Sequence, residues 1–214
     1  MTNKIIAKNG SSTRIILVRH GETEWNREER FRGRVDVPLN ETGPAQAWAT
    51  GERIAATWQV SAVYASPLSR TVKTAKAIAG YFGLPVQAVP DLVDIDYGLW
   101  QGLTPEYVEA RWPAMLNLWH NDPHLMHFPA GEKLSEVQTR GFSFVKSLIK
   151  LYPDQTVVLV GHTVINRAIL LEVLGWGLHR FWKLGQDPCA INVFETDGQD
   201  FALVSLNDTE HLQR

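Results

Sequence analysis

Short runs of apolar, β-branched residues alternate along this chain with longer segments of helical periodicity. This alternation predicts an α/β fold, in which crossover helices connect parallel strands and cover both faces of the sheet. The predicted strands are residues 14–18, 62–65, 86–89, 156–160, 190–195 and 201–206. The predicted helices are residues 42–58, 68–82, 132–150 and 164–174. We therefore expect a three-layer α/β/α sandwich with a mostly parallel central sheet.

The segment 103–130 departs from this alternation of strands and helices, because prolines divide it into short helical pieces rich in aromatic residues and histidine. It predicts a small helical cap inserted into a single domain, residues 1–214, a length that suits one domain. Two interpretations of Trp112, Trp119, His124 and Phe128 stay open: an apolar lid over a substrate, or packing of the insertion onto the sheet.

Charge and cysteine content exclude several classes. The 21 Lys and Arg nearly balance the 23 Asp and Glu, so neither nucleic acid nor an anionic membrane is expected as a partner. Residues 1–13 are mostly polar, and no apolar run approaches the roughly 20 residues that span a bilayer. Cys189 is the only cysteine, which rules out an intramolecular disulfide and a Cys-rich metal site. We expect a cytoplasmic protein and leave its oligomeric state open, a homodimer included.

Polar residues follow four of the predicted strands, where ligands bind in open α/β sheets. They are Arg19, His20 and Gly21; Ser66, Ser69 and Arg70; Asp94; and Gly161, His162 and Thr163. Arginines beside histidines favour an anion over a divalent cation, because guanidinium groups repel a metal and bind phosphate oxygens bidentately. The sequence thus predicts a phosphate site with no metal and no cofactor.

Phosphoryl transfer needs its oxygens neutralised and its attacking and leaving atoms in line. A neutral imidazole is a competent nucleophile, and these considerations leave His20 and His162 as equal candidates. Asp94 is a candidate general acid, or alternatively a turn or cap residue. Gly21 and Gly161 are expected to let the backbone approach the ligand.

Six sequence blocks, in order along most of the chain, resemble those of the histidine phosphatase superfamily, also called phosphoglycerate mutase-like. They are LVRHGETEWN at 17–26, DVPLNETGPAQA at 36–47, SPLSRTVKTA at 66–75, DYGLWQG at 96–102, PAGEKLSEVQTR at 129–140 and VLVGHTVINRAIL at 158–170.

The resemblance implies that His20 is the phosphorylated nucleophile and that Arg19, Arg70 and His162 hold the phosphoryl group. Asn26 and the backbone at Thr163 would add donors. Asp94 aligns with the acid that protonates the leaving oxygen.

Two positions depart from the family pattern. Most relatives have Glu where this chain has Asp94, which is one methylene shorter, so Asp96 or Glu22 is a candidate to share the role. Arg32 stands where relatives commonly carry Gln, and predicts an additional negative group on the substrate.

The resemblance favours the phosphatase branch, acting on a small phosphorylated metabolite, because the chain has GHTVIN where cofactor-dependent mutases usually show GHGN. A phosphoglycerate mutase and a non-catalytic phospholigand-binding protein are the alternatives.

Other phosphatase chemistries fit poorly. DIDYG at 94–98 only partly resembles the haloacid dehalogenase motif, and Cys189 lacks a phosphate-cradling loop. No nucleotide-binding P-loop motif occurs. A metal site from His120, His124 and His127 is disfavoured, because no Cys or clear acid completes the set.

Overall fold

The computed structural model describes residues 12–213. The polar start of the chain at 1–11, on which part of the localisation prediction rests, and Arg214 lie outside the described residues. The strands are β1 (Thr13–Arg19), β2 (Ala62–Ala65), β3 (Val86–Ala88), β4 (Thr156–Gly161), β5 (Ile191–Thr196) and β6 (Phe201–Asp208). The α-helices are α1 (Glu24–Arg27), α2 (Gly43–Thr57), α3 (Ser69–Gly80), α4 (Pro105–Arg111), α5 (Pro113–Asn121), α6 (Leu134–Leu151) and α7 (Thr163–Val173).

The six strands form one mixed sheet in the order β3-β2-β4-β1-β5-β6. The four strands from β3 to β1 are parallel, whereas β5 and β6 run antiparallel to their neighbours. β1 and β4 lie at the centre, and the paired residues Arg19 and Gly161 end them at the same height. The carboxyl ends of these two strands therefore deliver the next residues, His20 and His162, to one place.

Alternate side chains of the central strands point into two separate cores, as strand geometry requires. Ile15 and Leu17 of β1 pack with residues of α6 and α7, whereas Ile16 and Val18 pack with residues of α2 and α3. Helices thus cover both faces, and the predicted three-layer α/β/α sandwich with a mostly parallel sheet is confirmed.

The predicted helices and strands are present with small shifts at their ends, and β3 ends one residue early. A short 3-10 helix, Pro90–Leu92, lies between β3 and Asp94. Asp94 is therefore carried by a loop that crosses the end of the sheet, and does not follow the strand directly.

The segment 103–130 contains α4, α5 and the 3-10 helix Pro123–Leu125. Trp119 and Phe128 of this segment are buried, with ring centroids 5.1 Å apart, and belong to the core on the α6 and α7 side. Trp112 packs against the same core. These rings fix the insertion to the body, so packing accounts for most of the aromatic pattern. The assignment of residues 1–214 to one domain stays a prediction.

Within residues 12–213, no helix combines the length and apolar character that crossing a bilayer requires.

Candidate active site

The nucleophile predicted by the family pattern, His20, is nearly inaccessible and hydrogen-bonded on one side. Its Nδ1 lies 2.7 Å from the carbonyl oxygen of Gly21, which assigns the proton to Nδ1 and leaves the lone pair on Nε2. Burial lowers the pKa of His20 well below its usual value, and the charge of Arg70 lowers it further. His20 is thus a neutral imidazole with a free basic nitrogen.

His162 lies against His20, with ring centroids 5.2 Å apart, and Arg70 fixes its protonation. The Nε of Arg70 donates to Nδ1 of His162 at 3.2 Å, so the ring proton is on Nε2, which donates to the hydroxyl of Ser66 at 2.8 Å. Burial, followed by the charge of Arg70, lowers the pKa of His162 well below its usual value. His162 therefore presents an N–H donor, currently bonded to Ser66, at the strand ends.

The guanidinium of Arg70 is fully buried at the start of α3 and anchored by backbone carbonyls. It donates to the carbonyl oxygens of Val35 at 2.8 Å and Gly33 at 2.9 Å. A guanidinium has five N–H donors, and these two contacts together with the one to His162 use three of them. Two donors remain for a ligand. Burial lowers the pKa of Arg70 to about 10, so Arg70 is a buried cation that an anion would stabilise.

Arg19 is also buried, and bonds the carbonyl oxygen of Gln186 through one terminal nitrogen. Within residues 12–213, its buried Nε has no hydrogen-bond partner. Burial, followed by the charge of Arg32, lowers the pKa of Arg19 to about 9. A buried cation with an unused donor is suited to bind an anion.

Asp94 is buried beside the start of α7. Its Oδ1 accepts the backbone N–H groups of Val164 at 3.2 Å and Ile165 at 3.3 Å, and Asp94 lies on the cavity wall. Burial raises the pKa of Asp94, and this effect outweighs the opposing charge of Arg70. A carboxyl group that retains its proton more strongly than usual suits a general acid.

The two residues expected to share the acid role are committed elsewhere. Asp96 accepts the N–H of Gly98 at 2.8 Å and lies off the cavity wall, whereas Glu22 bonds Arg27 at 2.8 Å and Asn40 at 2.7 Å. Glu22 does reach the cavity wall, but its Oε1 is already bonded to both partners. Asp94 is thus the acid best placed beside the phosphate-binding residues.

A cavity of about 620 Å³ opens at this end of the sheet. Its wall includes Arg19, Asp94 and three residues predicted to bind substrate, Asn26, Arg32 and Thr163. Asn26 accepts the N–H and hydroxyl of Thr23 through Oδ1, which leaves its NH₂ group as the end that can donate to a ligand. His20, Arg70 and His162 are buried beside this wall and do not form part of it.

Protein atoms occupy the space around Gly21 and Gly161. The N–H of Gly21 donates to the hydroxyl of Thr74 at 3.1 Å, and a Cβ on Gly21 would lie 2.7 Å from the carbonyl oxygen of Gly43. A Cβ on Gly161 would clash with Oδ1 of Asn166. Close packing of protein against protein thus accounts for glycine at both positions, and substrate binding at Gly21 stays a prediction.

A family model of the histidine phosphatase superfamily (branch 1) matches residues 15–209, which include every site residue described above. The chain belongs to the histidine phosphatase superfamily.

Its relatives include a phosphoserine phosphatase. Phosphoserine phosphatase 1 of Hydrogenobacter thermophilus is 36% identical over 199 residues, which cover 93% of this chain and 94% of that protein. The structure of Bacillus stearothermophilus YhfR matches with a TM-score of 0.89 at 29% identity, over 94% of this chain and all of the other. The mycobacterial glucosyl-3-phosphoglycerate phosphatase Rv2419c, solved with VO3, matches with a TM-score of 0.85 at 27% identity, over 92% and 99% of the two chains. The predicted family, and an enzyme of the phosphatase class acting on small phosphates, are confirmed.

This histidine phosphatase also uses residues that the sequence analysis did not single out. Arg140 donates to the carbonyl oxygens of Asp91 at 2.8 Å and Asp94 at 3.1 Å, and pairs with Glu132 at 3.2 Å, so it holds the loop that carries Asp94. Arg140 lies in the family block at 129–140, and this resemblance is the sequence signal that could have identified it. Arg167 lines the cavity from α7, four residues after Thr163, and that i, i+4 spacing could have placed it there.

Of the four cap residues considered as a lid, Trp119 lies on the cavity wall, whereas Trp112, Phe128 and His124 do not. The cap also contributes Pro105 and His120 to the wall. Among residues 12–213, no group of three or more His, Cys, Asp or Glu is placed to hold a metal ion, and His120, His124 and His127 form no such cluster.

Proposed function

We propose that this histidine phosphatase hydrolyses small phosphomonoesters through a transient phosphohistidine at Nε2 of His20, without a metal ion. The observation that carries the proposal is the neutral His20 ring, held through Nδ1 by the Gly21 carbonyl, beside the buried cations Arg19 and Arg70. A fixed lone pair beside uncompensated positive charge suits attack on a phosphate ester.

In the first step, Nε2 of His20 attacks phosphorus while the bond to the leaving oxygen breaks. Arg19, Arg70 and the Nε2–H of His162 donate to the non-bridging oxygens, for which His162 exchanges its bond to Ser66. Asp94 gives its proton to the leaving oxygen, so that the alcohol departs neutral and Asp94 becomes a carboxylate.

In the second step, water attacks the phosphohistidine. The carboxylate of Asp94 takes a proton from that water, the bond between Nε2 and phosphorus breaks, and inorganic phosphate leaves. His20 returns to its neutral form and Asp94 to its protonated form, which closes the cycle with no external oxidant, reductant or cofactor.

The substrate is a small phosphorylated metabolite. Phosphoserine is a candidate because the relative from Hydrogenobacter thermophilus is named for it, and a phosphorylated glyceric acid derivative is a second because of the mycobacterial enzyme. We also propose Asn26, Arg32 and the backbone of Thr163 as substrate contacts, since all three residues lie on the cavity wall.

The test measures phosphate release from p-nitrophenyl phosphate and from alkyl phosphates in excess EDTA. We expect turnover that His20→Gln abolishes. We expect Asp94→Asn to lower kcat/KM for alkyl phosphates by about 10²–10⁴-fold and kcat/KM for p-nitrophenyl phosphate far less, because kcat/KM reports the first step and p-nitrophenolate leaves without a proton. Asp96→Asn is the matched control, because Asp96 is two residues away and off the cavity wall, and it should leave both rates unchanged.

Two results would redirect the assignment. Interconversion of phosphoglycerates with bisphosphoglycerate present, in place of hydrolysis, would identify a mutase. Tight binding of phosphate esters without turnover of any of them would identify a phospholigand-binding protein.

A further inference from the structure

The cavity bears positive charge in addition to that of Arg19 and Arg70. Arg32 and Arg167 both line its wall. In the described part of the chain neither forms a salt bridge. Burial raises the pKa of Tyr97, which lines the same cavity, and the charges of Arg32 and Arg167 both oppose that rise. Arg32 and Arg167 are therefore two cations beyond those assigned to the phosphoryl group.

Arg167 is held in a fixed plane. Its Nε donates to the carbonyl oxygen of Leu184 at 2.7 Å, and its guanidinium carbon lies 5.1 Å from the ring centroid of Phe181 and 5.0 Å from that of Trp182. Within residues 12–213 no hydrogen bond engages its two terminal NH₂ groups. An arginine anchored through Nε and stacked on aromatic rings presents a preorganised fork, the geometry that recognises a carboxylate bidentately.

A second unused polar group lies on the same face of α7. In the part of the chain that the structure describes, the buried hydroxyl of Thr163 has no hydrogen-bond partner, and Thr163 lines the cavity one helical turn before Arg167. Buried hydroxyls almost always have a partner, so this hydroxyl is suited to bond an atom of a ligand.

The general acid lies at the start of the same helix. Asp94 accepts the N–H of Val164, and Arg167 is three residues further, a rise of about 4.5 Å along the axis. A leaving oxygen held at Asp94 therefore has Arg167 within reach of a group two or three bonds away.

We propose that Arg167 and the hydroxyl of Thr163 form a subsite for a carboxylate on the leaving group, so that this enzyme selects phosphomonoesters whose alcohol carries a carboxylate close to the ester oxygen. One guanidinium fork matches one monoanionic carboxylate in charge and shape. The inference rests on the proposed function, but its evidence is the geometry of Arg167 and Thr163 alone.

The test compares two esters that differ only by a carboxylate, phosphoserine and phosphoethanolamine. We expect kcat/KM to favour phosphoserine by about 10–100-fold, the range for a charge-assisted bidentate contact. Arg167→Met keeps the apolar stem over Phe181 and Trp182, and should reduce this ratio by about tenfold or more, mainly through KM for phosphoserine. Arg167→Lys keeps the charge without the fork and should fall between the two.

Arg180→Met is the matched control, because Arg180 also stacks on a tryptophan, Trp176 at 5.3 Å, but lies outside the cavity. It should leave the ratio unchanged. A wild-type ratio near one, or an equal loss on both esters in Arg167→Met, would overturn the subsite.

Failure of the proposed hydrolysis would be a separate result. The same pair of ligands, titrated calorimetrically into His20→Gln with and without Arg167→Met, tests the subsite by binding alone. Tighter binding of phosphoserine that depends on Arg167 supports it, and equal binding of the two esters contradicts it.

Discussion

Acidification should destabilise this protein through its two buried histidines, and the effect of His20 can be calculated. Burial and the charges of Arg70, His162 and Arg19 keep His20 neutral in the folded protein, with a pKa well below 6.5. The unfolded chain binds a proton at His20 as the pH falls through about 6.5, and the folded protein does not. The free energy of unfolding therefore falls with decreasing pH below about 6.5, and this loss continues until the folded-state pKa is reached.

The slope is at most about 1.4 kcal/mol per pH unit for each histidine, so His20 alone contributes a loss of up to about 1.9 kcal/mol between pH 7 and pH 5. His162 has the same environment and direction of shift. The assay is urea unfolding of wild type and His20→Gln at both pH values. We expect the variant to lose less stability than wild type on acidification, by up to about 1.9 kcal/mol, because all other titrating groups are shared.

Equal losses in the two proteins would refute this reasoning. They would mean that His20 binds a proton in the folded state, which is incompatible with a neutral nucleophile among buried cations. His162→Gln provides an independent repeat.

Three further predictions follow from the site and the fold. The kcat/KM for alkyl phosphates should fall as the pH rises through the raised pKa of Asp94, because the acid form is lost, and the pH profile of Asp94→Asn should be flat over that range. Arg140→Met frees the loop that carries Asp94, and we expect alkyl phosphates to slow by about tenfold while p-nitrophenyl phosphate changes less. Gly98→Ala places a Cβ 2.0 Å from the carbonyl oxygen of Pro129 at a positive φ and should lower the free energy of unfolding by about 2 kcal/mol or more in urea titrations, whereas Gly80→Ala, with open space around it, should be neutral or stabilising.

The layer structure was predictable because each central strand is a continuous apolar run whose two faces are both buried. The same pattern predicted that residues after β1, β2 and β4 meet, since parallel strands end at one edge. For Asp94, the sequence predicted only that it lies near these strand ends. Its bonds to Val164 and Ile165 depend on a loop path that no local sequence pattern encodes.

The choice between His20 and His162 required more than strand position. In the structure Arg70 donates to Nδ1 of His162 and makes it a donor, whereas the Gly21 carbonyl leaves Nε2 of His20 basic. The contact between Arg70 and His162 joins distant segments, and the sequence does not show that the His20 ring faces the carbonyl of the next residue. The sequence alone therefore could not choose between the two histidines.

The sequence also could not show what requires glycine at Gly21 and Gly161. A glycine beside a binding motif indicates that some group approaches the backbone closely. It does not show whether that group is a ligand or another part of the protein. At Gly21 the approaching group is the carbonyl of Gly43, on a helix 22 residues later in the chain. Arg167 was overlooked because an arginine inside an amphipathic helix usually faces water, and only the fold shows Phe181 and Trp182 against it.

The most direct test of the central claim is to trap the covalent intermediate. A reaction with a small phosphomonoester is quenched in alkali within the first turnover, where phosphohistidine survives, and the digested protein is mapped by mass spectrometry. We expect phosphate on His20, accumulating further in Asp94→Asn with p-nitrophenyl phosphate because the attacking water has lost its base, and absent in His20→Gln. Steady turnover with His20 unmodified, or phosphate found on His162, would contradict the account.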